Sequence, residues 1–131
     1  MSALVENALT RVAESTGLDA TSTGTTSLYT VPTGFAFMPT HIIVINEPGF
    51  TSGGKTIHAV ASFGGNSATF DDFLNSVTFT FSSGGTYIMR EKSTTAQVFQ
   101  AGGDVFTISI ETASDATLET WAVSVFGFIA D

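Results

Sequence analysis

The chain contains no cysteine. Disulfides, thiolate metal sites and cysteine nucleophiles are therefore all excluded, and the fold owes nothing to a redox compartment. Charge is also scarce. Only 12% of the 131 residues are Asp, Glu, Lys or Arg, about half of the usual share of roughly 25%. Positive charge is scarcest: Arg11, Lys55, Arg90 and Lys92 stand against twelve acids, leaving a net charge of −8. Four scattered cations cannot form the basic stripe that a phosphate backbone demands, so no nucleic-acid partner is expected. The same shortage argues against docking on an anionic membrane. No apolar run approaches the ~18 residues of a spanning helix. The first residues lack the basic-then-apolar signature of a signal peptide, so synthesis in a cytoplasm without signal-peptide secretion is expected.

Apolar residues are plentiful, at 43% of the chain with twelve Phe. That is enough for one domain with a substantial core. Low charge combined with so much Phe and Ile leaves two explanations: a thick sandwich core, or surface covered by neighbouring subunits.

Two parts of the chain differ in pattern. Over residues 2–16 the apolar positions Leu4, Val5, Ala8, Leu9, Val12 and Ala13 repeat with the spacing of one α-helical face. Ser2 is placed to cap such a helix and Gly17 to end it in a left-handed conformation. Residues 1–18 are thus expected to be a helical arm. Its apolar stripe would pack either on its own domain or on a neighbour. Residues 19–27 read as a polar linker, and 28–131 as the main domain.

In that domain the pattern is β. Strands are expected at 27–31, 35–46, 55–63, 77–81, 86–90, 96–100, 105–111 and 120–129. Glycine pairs at 53–54, 64–65, 84–85 and 102–103 mark turns between them. Val77, Phe79 and Phe81 alternate with Thr78, Thr80 and Ser82, and Phe106, Ile108 and Ile110 are expected to face inward. The expected fold is all-β: a jelly-roll-like β-sandwich of about eight strands with an N-terminal amphipathic helix. Strands 35–46 and 120–129 are apolar on both faces, whereas the outer face of a two-layer sandwich is normally wet. Candidate subunit or capsid contacts are therefore Leu4, Val5, Ala8, Leu9 and Val12 on the arm, with Ile42, Val44 and Trp121 on the strands.

Chemistry-bearing residues are few. Asp71 and Asp72 are adjacent, so on a strand they would face opposite ways, and they read as turn residues. Calcium there would need help from Asn66 or Asn75, and the EF-hand pattern is absent. His41 and His58, with no cysteine to complete a set, make a poor zinc site. Gly53-Gly54-Lys55-Thr56 lacks the first glycine of a phosphate loop and leads into a strand. No Gly-x-Ser-x-Gly elbow occurs. The expectation is no catalytic residues, no metal and no cofactor. Trp121 and Tyr87 could stack on a sugar ring, although a single Trp inside an apolar strand is more often core or interface.

Two phrases carry a resemblance. Thr25-Thr26-Ser27-Leu28-Tyr29-Thr30-Val31-Pro32-Thr33-Gly34, followed by a long strand ending at Asn46, resembles a stretch common in small structural proteins of tailed bacteriophages. Val123-Ser124-Val125-Phe126-Gly127-Phe128-Ile129 resembles the closing strand of the same proteins. Together they span about a quarter of the chain, and neither is an active-site motif. The resemblance implies a virion component: a capsid decoration (cement) protein, a head fibre, or a tail or baseplate accessory protein. Its expected partners are further copies of itself, as a homotrimer or other homo-oligomer, and the major capsid protein or another virion protein. A tail-fibre or baseplate module that binds a host-surface glycan through Trp121 and Tyr87 is the alternative.

Overall fold

The computed structural model describes residues 9–54, 58–65, 69–92 and 103–130. Eight strands account for most of these: β1 (Thr10–Asp19), β2 (Gly24–Thr30), β3 (Ala36–Asn46), β4 (Ala59–Gly64), β5 (Leu74–Phe79), β6 (Tyr87–Glu91), β7 (Val105–Thr112) and β8 (Thr120–Ala130). They form two four-stranded sheets, ordered β1-β8-β3-β6 and β2-β7-β4-β5. Every strand pairing is antiparallel. Within these sheets β1 pairs β8, β2 pairs β7, β3 pairs β6 and β4 pairs β5.

The expected N-terminal helix is not what residues 10–19 form. They pair with β8 from Thr10 opposite Gly127 to Asp19 opposite Thr120. The i, i+4 apolar spacing is real, but an 11-residue apolar strand offers β1 a complete ladder. The β-branched residues Thr10, Val12 and Thr16 suit that ladder better than a helix. Two bulges, between Arg11 and Ala13 and between Ser15 and Leu18, reconcile the spacing with a period of two. Gly17 does adopt a positive φ, 69°, but within the second bulge rather than at a helix end. Its N–H donates to Glu47 Oε1 at 3.0 Å. The polar linker shrinks to a turn at 20–23, where Thr21 N–H and the Thr21 and Ser22 hydroxyls all donate to the Asp19 carboxylate. The strand expected at 96–100 lies outside the described residues.

The core fills the space between the two sheets. The first sheet contributes Phe37, Ile42, Val44, Trp121, Val123, Val125 and Ile129, and the second Ala59, Ala61, Phe63, Phe79, Phe106, Ile108 and Ile110. Aromatic rings connect across the middle. Phe106 meets Phe37 edge-on at 6.1 Å and Phe73 at 5.5 Å, and Phe79 lies 5.4 Å from Trp121. Edge-on ring pairs of this kind add to the burial of their area. As expected from the alternation, Phe106, Ile108 and Ile110 are buried, as are Phe79 and Phe81.

The two phrases singled out in the sequence have clear local causes. After β2, Phe35 N–H bonds Pro32 O at 3.1 Å and Gly34 has φ 88°, a tight turn whose third residue must tolerate positive φ. Gly127 of β8 sits where β3 bulges between Pro39 and His41. A Cβ there would run into Met38 O, the Phe37 ring and Pro39 Cα, so only glycine allows the two backbones to approach.

Candidate interaction surface

The two sheets differ on their outer faces, and that difference singles out one of them. On the second sheet the outer side chains are mostly small and polar, with Val60 an apolar exception, and hydrogen bonds tie several of them to one another or to nearby backbone. Thr25 and Ser109 share a hydrogen bond of 2.9 Å, and Thr107 donates to Gly64 O and Gly65 O. The Ser62 and Ser76 hydroxyls both donate to the Glu111 carboxylate. Ser62, Thr107 and Ser109 are buried, and these bonds satisfy them.

The first sheet is the opposite. Residues directly paired across antiparallel strands share a face. The pairings Met38–Phe128, His41–Phe126, Ile43–Ser124 and Ile45–Ala122, extended to β6 by Ile43–Met89 and Ile45–Tyr87, therefore make one continuous outer surface. Met38, Ile43, Ile45, Phe126 and Phe128 are only partly buried, and Met89 and Tyr87 are 47% and 69% exposed. The His41 ring stacks on Phe126 at 4.5 Å with 7° between the planes, and Thr40 Oγ1 bonds its Nδ1 at 3.0 Å. Among the described residues no strand or helix lies over this face. Charges ring it: Arg11 and Glu14, ion-paired at 3.7 Å, flank β8, and Glu91 pairs beside His41. An apolar centre with a polar rim is the anatomy of a protein–protein contact.

Among the described residues the strands of the first sheet carry Arg11, Arg90, Glu14, Asp19 and Glu91, and those of the second carry Glu111 alone.

The contact residues expected from sequence fall in several places. Leu4, Val5 and Ala8 lie outside the described residues. Leu9 is 55% exposed, just before β1, and Val12 packs against the core. Ile42, Val44 and Trp121 are completely buried between the sheets, so they cannot meet a partner. On these strands the set that reaches the surface is of opposite parity: Ile43 and Ile45 on β3, and Phe126 and Phe128 on β8. Alternation alone specifies two faces and does not say which one points inward.

Trp121 is also closed to a sugar. Its ring is held by Phe79 and Phe81, and its indole N–H donates to Glu119 Oε2 at 2.7 Å. Tyr87 remains exposed without it. His41 is on the first sheet's outer face, whereas His58 precedes β4 of the second. Asp71 and Asp72 occupy the loop before β5, where Asp72 N–H bonds Thr69 O at 3.1 Å, a turn as the sequence implied. No cluster of three or more potential metal-ligating side chains occurs among the described residues.

The fold and its face define a class: an eight-stranded antiparallel sandwich with one apolar outer sheet. No protein-family model matches the chain, and no curated protein sequence matches it. Among solved structures it is similar to a chain of the "Acidic stable capsid structure of Helicobacter pylori bacteriophage KHP30". The TM-score is 0.54 at 11% identity, covering 95% of this chain and 98% of that one. At that identity the likeness is one of fold.

Proposed function

We propose that this protein is a non-enzymatic virion structural component, a capsid decoration or cement protein that oligomerises and stabilises the capsid shell. The apolar outer face of the first sheet carries the reading. A partly exposed sheet of Met38, Ile43, Ile45, Phe126, Phe128 and Met89 is unfavourable in water and favourable against another protein. The fold's likeness to a phage capsid chain supports the same reading, as do the two sequence phrases. So does the strand pairing 1·8, 2·7, 3·6 and 4·5, a long antiparallel ribbon rolled into two sheets, which we read as a jelly roll. The burial of Trp121 counts against the glycan-binding alternative.

Quantitative mass spectrometry of purified particles tests this directly. The expected result is a fixed ratio of this chain to the major capsid protein, lost when Phe126→Lys replaces the wild type. Particles that lack the chain, or that take up the Phe126→Lys variant normally, would overturn it.

A further inference from the structure

Four residues form one row across the outer face of the first sheet. Arg11 on β1 lies opposite Phe126 on β8, Phe126 opposite His41 on β3, and His41 opposite Glu91 on β6. Directly opposed residues of antiparallel strands share a face. A cation therefore stands at one edge of the sheet and an anion at the other, with two stacked rings between them. The next row is Glu14, Ser124, Ile43 and Met89, and the one after it places Ala122, Ile45 and Tyr87 on β8, β3 and β6. Size divides these rows as charge divides the first. β3 carries the bulky Ile43 and Ile45, while β8 beside it carries the small Ser124 and Ala122, only 5% and 7% exposed.

We infer that this face pairs with the same face of a second copy, about a two-fold axis that runs parallel to the strands above the seam between β8 and β3. The inference rests on the proposed reading of this face as a contact surface, and it names the partner that covers the face away from the shell. Sheets stacked face to face lie about 10 Å apart, within reach of interleaving side chains. The rotation carries each β1 over the other copy's β6 and each β8 over the other copy's β3. Arg11 then meets Glu91 of the second copy at both edges, and Phe126 meets His41. By the same rotation Ile43 falls on Ser124 and Ile45 on Ala122, large side chain on small, which lets two layers interdigitate.

Charge and size are separate properties of these rows, and one operation makes both complementary. The other aligned arrangement, with the two-fold at right angles to the strands, does neither. It lays β1 on β1 and β3 on β3, so the cation's edge meets the cation's edge and the isoleucine strand meets itself. The contact is isologous and closes at two copies. Glu14, ion-paired with Arg11 at 3.7 Å, stays at the rim, where the guanidinium gains a carboxylate on either side. Net charges of −8 on both copies oppose the pairing and keep it weak. Weakness suits a face that must also reach the shell: copies pair when concentrated and separate on dilution or on docking.

Sedimentation equilibrium of the full chain over a concentration series tests the pairing. Wild type is expected to follow a monomer–dimer equilibrium. Arg11→Glu and Glu91→Arg, each keeping the wild-type circular dichroism spectrum, are expected to dimerise roughly tenfold more weakly, because like charges then face each other twice. An equimolar mixture of the two is expected to recover wild-type dimerisation, since one variant then offers acids at both edges and the other bases. Phe126→Lys is expected to remain monomeric. A wild type that stays monomeric at its highest soluble concentration or settles at three copies, undiminished dimerisation of either charge variant, or no recovery in the mixture would each overturn the inference. The two readings fail separately. A chain that dimerises but is absent from particles loses the shell role and keeps the pairing, and a strict monomer found in particles does the reverse.

Discussion

The indole nitrogen of Trp121 and the carboxylate of Glu119 are joined by a 2.7 Å hydrogen bond inside the domain, where Glu119 is only 1% exposed. The other carboxylate oxygen accepts the Ser114 hydroxyl at 2.6 Å, and Ser114 Oγ in turn accepts Ala116 N–H. One acid thus ties the β7–β8 connection to the first residues of β8. Both of its oxygens are satisfied by neutral donors. Removing it strands two buried donors. Glu119→Ala should cost about 2–4 kcal/mol, read as a lower urea midpoint with an unchanged slope, and Glu119→Gln distinctly less.

The parity of β3 gives the sharpest contrast between fold and function. Ile42 and Ile43 are neighbours, one fully buried and the other on the outer face. Ile42→Ala should destabilise the domain by about 2–5 kcal/mol, the usual range for a large-to-small core change. Ile43→Glu should leave the melting transition nearly unchanged while abolishing incorporation into particles. Equal loss of stability in both variants would remove the distinction.

Tyr29 packs edge-on against Phe37 at 5.1 Å, and its hydroxyl is buried with no hydrogen-bond partner among the described residues. A phenol without a partner gains nothing from its oxygen. Tyr29→Phe should therefore be neutral or stabilising by up to about 1 kcal/mol. Burial also holds the Tyr29 phenol above its ordinary range. The folded state keeps this proton more tightly than the unfolded chain. Stability is therefore complete below the ordinary phenol range and falls as pH rises through it towards the raised folded value. Alkaline denaturation curves should show that fall for wild type and a shallower one for Tyr29→Phe.

At the other end of the scale, hydrogen bonds from the Thr21 hydroxyl and backbone N–H, with a further one from Ser22, hold the Asp19 carboxyl below its ordinary range, against a small opposing effect of burial. Its contribution is present above the ordinary carboxylate range and is lost as pH drops through the lowered folded value. Asp19→Asn keeps an acceptor and loses the charge, so it should flatten the acid limb of the stability profile between those two values.

Gly127→Ala should destabilise strongly, because the new methyl meets Met38 O and Pro39 Cα, both backbone atoms. Thermal melts of this variant should fall well below those of Ala130→Gly on the same strand, a change that introduces no clash.

Much of the β architecture could be read along the chain. Val105–Thr112 follows from alternation, and Thr120–Ala130 from a run of β-branched and aromatic residues, both local properties. The turn at Pro32–Gly34 and the small residue at 127 were likewise visible as phrases. Residues 10–19 were misread because their helical spacing is a local signal, whereas the partner that decides their state, β8, lies more than a hundred residues away. The exposed face was half legible. That β3 and β8 are apolar on both sides was plain, but the parity facing the second sheet was not.

What the sequence by itself determined is the class of molecule: a cysteine-free, acidic, phenylalanine-rich β domain with more apolar strand surface than one core can use. Composition and period-two alternation fix those properties without reference to any distant residue. Only the tertiary structure decided that residues 10–19 become an edge strand, that Ile42, Val44 and Trp121 close the core, and that Ile43 and Phe126 remain outside. Those outcomes depend on which strands pair and in which register. A shift of one residue exchanges every inward side chain for an outward one.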